Sequence, residues 1–155
     1  MTSALLALML SAPVVLVDNV SSEQAVPKGL TAALNTSLCS TLESVFKGKK
    51  IEAKCKSDVE AILRLRSLQS AVGASSSCKG GDEACAAKMA KLVHCTHVVV
   101  ASIKPTKNGY ALELILVDTL GKKLKSTMTQ GADFDALTKA LSGLAKELAG
   151  SLGAP

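Results

Sequence analysis

The chain has no tryptophan, one tyrosine and two phenylalanines among its 155 residues. Its core must therefore be aliphatic, and it lacks the aromatic platforms on which single-stranded nucleic acids stack. No Lys or Arg precedes Lys28, so the first residues lack the basic start of a full export signal. The opening MTSALLALMLSAPVVLV is interrupted by Pro13 and falls short of the about twenty apolar residues that cross a bilayer. There is no G-x-S-x-G sequence, and the glycine pair in KGG (79–81) has no strand before it. These absences exclude a nucleophile-elbow hydrolase and a phosphate-loop enzyme. No cofactor is indicated, and nucleic acid is not an expected partner.

What is present is a folded chain. Hydrophobic residues at 48% against 20% charged are far from a disordered composition, and the length suits one domain. Leu5 to Leu10 supplies an apolar run and Leu10-Ser11-Ala12 a cleavage context, so residues 1–12 read as a signal peptide and 13–155 as the mature domain. That makes the protein periplasmic or secreted, with no transmembrane segment in the mature chain. The competing reading keeps all seventeen residues as a buried first strand of a cytoplasmic protein, although strands average only about five to six residues.

Short apolar runs alternate with amphipathic segments. PVVLVD (13–18) reads as a buried strand and NVSSEQAVPKG as the polar loop after it. Leu30, Leu34, Leu38, Leu42 and Val45 recur at helical spacing, which predicts a helix over 28–46. A short strand follows over 50–55. Ser57 and Glu60 form a capping box for a second helix that ends near Gly73. GASSSCKGG is a flexible connection, and Asp82 caps a third helix, EACAAKMAKLVH. THVVVASI (96–103) has the unbroken apolar character of a central strand, Asn108-Gly109 marks a turn, and 110–118 and 124–129 complete a meander. Asp133 caps a last helix whose Phe134, Leu137, Leu141, Leu144 and Leu148 form one stripe. The order β-α-β-α-α-β-β-β-α predicts an α/β (α+β) fold: a single mixed sheet of about five strands packed by three to four helices.

Five cysteines are many for this length, and in an exported chain they should pair. In CKGGDEAC, Cys78 lies in a flexible loop and Cys85 in the first turn of a helix. The loop can bring them to the roughly 5.5–6 Å Cα separation of a disulfide. So small a loop stabilises by about 2–3 kcal/mol. Cys39 and Cys55 form a second, less secure pair, and Cys95 is left over where the third helix meets the central strand. His94 and His97, with Cys78 and Cys85, form the only cluster suggestive of a metal- or thiol-dependent enzyme. The six-residue gap between the cysteines does not match zinc pairs, which are separated by about two to four residues, so no metal site is assigned. Net charge is +5, and Lys47, Lys49, Lys50, Lys54 and Lys56 crowd together as a patch for an anionic partner, or more simply as solvated loop and strand ends.

Two stretches carry a family likeness. PVVLVDNVSSEQAVPKGLTAALNTSLCSTL resembles the opening of TolB amino-terminal and CsgG-like domains, in which an apolar strand ending in Asp leads through a polar loop to an amphipathic helix. CAAKMAKLVHCTHVVVASIKPTKNGYALELILVDTLGKKL is similar to their helix, buried strand and hairpin. The resemblance spans about residues 13–130 and implies an anticodon-binding-like α/β fold in a bacterial envelope protein used for protein contacts. The chain departs from the family in having no β-propeller, no lipidated cysteine and no pore-forming segment, so no family functional residue is carried over. The expected function is a non-enzymatic, exported interaction or assembly module whose partner is another envelope protein, met at loops or at the edge strand LKSTMT. The alternative is an enzyme built on Cys78, Cys85, His94 and His97.

Overall fold

The computed structural model describes residues 12–59 and 83–152. Their elements run β1 (Val14–Val17), β2 (Ser21–Ser22), α1 (Lys28–Gly48), β3 (Glu52–Cys55), α2 (Glu83–Leu92), β4 (His97–Thr106), β5 (Gly109–Asp118), β6 (Lys123–Gly131) and α3 (Phe134–Gly150). The helix expected over 57–73 and the GASSSCKGG connection fall almost wholly outside the described residues, apart from a helical turn at 56–59.

The strands form one mixed sheet in the order β3-β1-β4-β5-β6, with β2 pairing β4. β1 is parallel to both β3 and β4, which α1 makes possible by crossing from the end of β1 back to the start of β3. β4, β5 and β6 are antiparallel. The mixed α/β fold read from the sequence is the fold observed. One element was read differently: the loop after β1 contains β2. The chain takes four steps from Val17 to Ser21 where β4 takes three from Val99 to Ser102. It leaves the sheet at Asp18–Val20 and rejoins it, and two serines carry no hydrophobic signature of such a strand.

Alternation along the strands feeds two cores. Val15, Val17, Val99, Ala101, Leu112, Leu114 and Leu116 face α1 and α3, joining Leu34, Leu38, Leu42 and Phe46 of α1 and Leu137, Leu141 and Leu148 of α3. Leu16, Val98, Val100, Ile115 and Val117 face the other way, against Ala86, Met89 and Ala90 of α2. Burying each large aliphatic contributes about 1.5–3 kcal/mol, so this core needs no aromatic mass beyond Phe46. Asp133 caps α3 by accepting a hydrogen bond from the Ala136 amide at 3.0 Å. Pro105 fits in β4 because it lies past the last β2 pairing, where among the described residues β4 has β5 alone beside it.

Candidate functional site

Two features stand out: a crevice beyond the carboxyl ends of β1 and β3, and the free edge of β6. Parallel strands aim the ends of β1 and β3 at the same region, and β1 is where connections diverge to β3 on one side and β4 on the other. Crevices outside the carboxyl ends of strands at such a switch point are the usual ligand positions of α/β sheets. This one, about 320 Å³, is lined by Asp18 and Asn19 after β1, Asn35, Thr36 and Cys39 on α1, and Cys55, Ser57 and Asp58 around the end of β3.

A buried ion pair lies beside it. Asp18 and Lys56 each follow the last residue of a parallel strand, and Lys56 Nζ lies 3.4 Å from Asp18 Oδ1 with the side chains 8% and 5% exposed. Asp18 also accepts the Asn19 amide at 2.8 Å, and the Asn35 side-chain oxygen accepts the Val20 amide. These contacts pin the chain where it leaves the sheet. Lys56 is therefore not part of the exposed basic patch expected from the sequence: it is drawn inward by the buried aspartate. Lys54 points to the sheet face opposite Cys55, because neighbours in a strand alternate. Lys47, Lys49 and Lys50 are exposed at the α1–β3 turn, and Glu43 and Glu52 line a cleft with Lys47 and Lys50. The patch divides into a buried ion pair and a mixed-sign surface.

In the same crevice Cys39 and Cys55 are disulfide-bonded, with Cα atoms 5.9 Å apart, tying α1 to β3. The Glu43 carboxylate and the Asp58 carboxylate reach the same spot, and the four ligand-type atoms lie within 4.8 Å of one another. Sequence inspection missed this group because it looked for paired cysteines. The signal was there as Cys39-x3-Glu43 and Cys55-x2-Asp58, with a carboxylate second in each pair.

The described members of the cysteine and histidine cluster, Cys85, His94 and His97, form no such group among the described residues. Cys85 is disulfide-bonded, in the first turn of α2, and Cys78 lies outside the described residues. His94 follows the end of α2 in a left-handed conformation, φ 61°. A rise of about 1.5 Å per residue puts it on the order of 12 Å from Cys85. His97 opens β4, its Nδ1 2.7 Å from the Thr96 hydroxyl. Burial holds its pKa below the usual value, against the opposing pull of Asp118. Cys95 is a buried free thiol beneath α2, its pKa raised chiefly by burial.

Among the described residues β6 forms the opposite border of the sheet, hydrogen-bonded to β5 alone. Met128 (60% exposed) and Leu124 (38%) lie on it, and Leu120 (88%) stands in the turn before it. Lys122, Lys123 and Lys125 flank them, all exposed. Asp118 closes the turn by accepting the Leu120 and Lys122 amides at 2.9 and 3.0 Å. Those bonds, that of Lys122 foremost, lower its pKa.

No protein-family model matches the chain, and no curated protein matches it. Solved structures do. The fold is similar to TolB from Acinetobacter baumannii, at 12% identity and TM-score 0.55 over 92% of this chain and 29% of that one. It is similar to the PelC dodecamer from Paraburkholderia phytofirmans, at 12% identity and TM-score 0.53 over 93% and 89%. It is also similar to the LpoB C-terminal domain from Escherichia coli, at 18% identity and TM-score 0.50 over 82% and 94%. This chain thus spans less than a third of the TolB chain. At such identities the likeness shows the fold alone.

Proposed function

We propose that the protein is a non-enzymatic module of the bacterial cell envelope, exported after removal of residues 1–12, that binds an extended acidic segment of another envelope protein along β6. The observation that carries this reading is the nine-residue β6 edge, which among the described residues is paired on one side only. A free edge offers main-chain hydrogen bonds to an incoming strand, while side chains at alternate positions select it. Lys122 and Lys125, with Lys123 in an exposed pair with Glu83 at 3.3 Å, favour an acidic partner, and Leu124 and Met128 give it apolar contacts. A second copy is opposed by the like charge of two chains at +5 each. Similarity to TolB and LpoB folds supports the envelope assignment. So do the Cys39–Cys55 bridge and the bonded Cys85, which suit an oxidising compartment. In this reading Cys85 pairs with Cys78 as a staple on the connection to α2. Among the described residues no helix is long and apolar enough to cross a membrane.

The test is a photo-activated side chain at position 128, with position 146 on α3 as control, in cells that make the protein. The expected result is one adduct with a different, exported protein at position 128, lost when Lys122, Lys123 and Lys125 become glutamate. Adducts only with a second copy, with cytosolic proteins, or equally from position 146 would overturn the proposal.

A further inference from the structure

The donors on the rim of the carboxyl-end crevice are arranged in a way that a closed disulfide does not use. Glu43 Oε1 lies 3.2 Å from Cys39 Sγ and 3.1 Å from Cys55 Sγ, yet a disulfide sulfur has no proton to donate. The Asp58 carboxylate converges on the same point. A carboxylate against two bridged sulfurs gains no hydrogen bond from them. Set against two thiolates, it becomes part of a ligand set.

Spacing and placement fit that use. Cys39 and Glu43 are four apart on α1 and share a face. Cys55 ends β3, and Asp58 is three residues on, in the helical turn at 56–59. Each pair therefore has two or three residues between its members, as the paired ligands of zinc sites do. Tetrahedral zinc, with about 2.3 Å to sulfur and about 2.0–2.2 Å to oxygen, separates its donors by about 3.3–3.8 Å. That lies within the 4.8 Å span of these atoms. The 5.9 Å Cα separation of the cysteines lets side-chain rotation alone open the bridge to this geometry. Thiolates select a zinc-type ion over calcium or magnesium. Cys55 is buried and Cys39 half-buried, while Glu43 and Asp58 are exposed, so the ion can enter from solvent.

We propose that Cys39, Glu43, Cys55 and Asp58 form a redox-gated site for a zinc-type divalent cation, shut while the Cys39–Cys55 bridge is closed. Opening takes two electrons and two protons from a dithiol reductant, which becomes a disulfide as the sulfur–sulfur bond breaks. The cation then displaces the two thiol protons to solvent and offsets two of the four negative charges left on the ligands. Either state ties α1 to β3, by a covalent bond in oxidising surroundings and by the ion in reducing ones. The proposal is independent of the β6 edge.

The probe is Zn²⁺ alone, titrated into the mature chain before and after reduction by a phosphine. One equivalent is expected to bind only after reduction. Co²⁺ in its place should show thiolate charge-transfer and tetrahedral absorption. Glu43→Gln with Asp58→Asn should weaken binding by more than about tenfold, and Cys39→Ser with Cys55→Ser should abolish it. Equal binding by that last variant, which keeps the other three cysteines, or by the oxidised protein, overturns the proposal. If reduction unfolds the chain, zinc must restore the native circular dichroism, because binding to a site made only by folding stabilises the fold. Failure to restore it also overturns the proposal.

Discussion

Lys56→Met tests the buried ion pair beside the crevice. The charges are 3.4 Å apart and nearly sealed from water. At an effective dielectric constant of about 20, their attraction is about 5 kcal/mol before any cost is counted. Desolvating two ions consumes several kcal/mol of that, so the pair as a whole is nearly neutral for stability. Removing one partner is different, because it leaves the Asp18 carboxylate, 5% exposed, with no cationic side chain against it among the described residues. The expected loss is about 3–5 kcal/mol. Asp18→Asn in the same chain removes the stranded charge while leaving an oxygen for the Asn19 amide, and should recover more than half of it. The assay is urea unfolding of wild type, both single variants and the double variant under non-reducing conditions, with stability read from midpoints at equal slope. Asp18→Asn alone strands the Lys56 charge in turn, so the cycle should give a coupling of at least about 2 kcal/mol. A Lys56→Met cost below about 1 kcal/mol, or a double variant equal to the sum of the singles, would refute the buried pair.

Other sites carry sharper signs. Thr127 is 5% exposed beneath α3 and its hydroxyl has no hydrogen-bond partner among the described residues, so Thr127→Val should stabilise by about 1 kcal/mol in the same unfolding assay. Gly109 has φ 150°, and a Cβ there would fall on the Gly131 carbonyl; Gly109→Ala should cost about 1–3 kcal/mol, seen as a lower melting temperature. His97 is held neutral by burial, so the unfolded chain binds the proton more readily. Its stabilising contribution is present above the unfolded pKa of about 6.5 and is lost as pH falls through the lowered folded value. Urea midpoints at pH 7.5 and 5.5 should therefore differ more for wild type than for His97→Gln, and an equal difference would remove His97 as the cause.

Most of the fold was legible because its elements follow simple periods. Leu34, Leu38 and Leu42 mark one helical face, and the apolar run of β4 reads as a strand covered on both sides because it is one. β2 was illegible since backbone pairing to β4, not side-chain burial, makes Ser21 and Ser22 a strand. The site was harder. Lys56 has four lysines close by in sequence, and only the parallel pairing of β1 with β3 shows that it ends a strand beside Asp18. Proximity in sequence suggested a basic patch; proximity across the sheet made an ion pair. The grouping of Glu43 and Asp58 with Cys39 and Cys55 likewise depends on how α1 lies over β3.

The sheet order also separates the two proposed sites. β3 and β6 are its opposite borders, four strand spacings apart, which at about 4.8 Å each is about 19 Å. Perturbations farther apart than about 7–10 Å with no shared partner act independently. Reducing the Cys39–Cys55 bridge, or filling the opened site with zinc, should thus leave the yield of adduct from position 128 unchanged so long as the chain stays folded. The comparison needs one preparation, reduced and loaded with Zn²⁺ or left oxidised, photolysed with the captured partner present. A change in yield while circular dichroism holds constant would mean that the strands between carry a coupling, which the rigid pairing of β4 with β5 along their whole length gives no reason to expect.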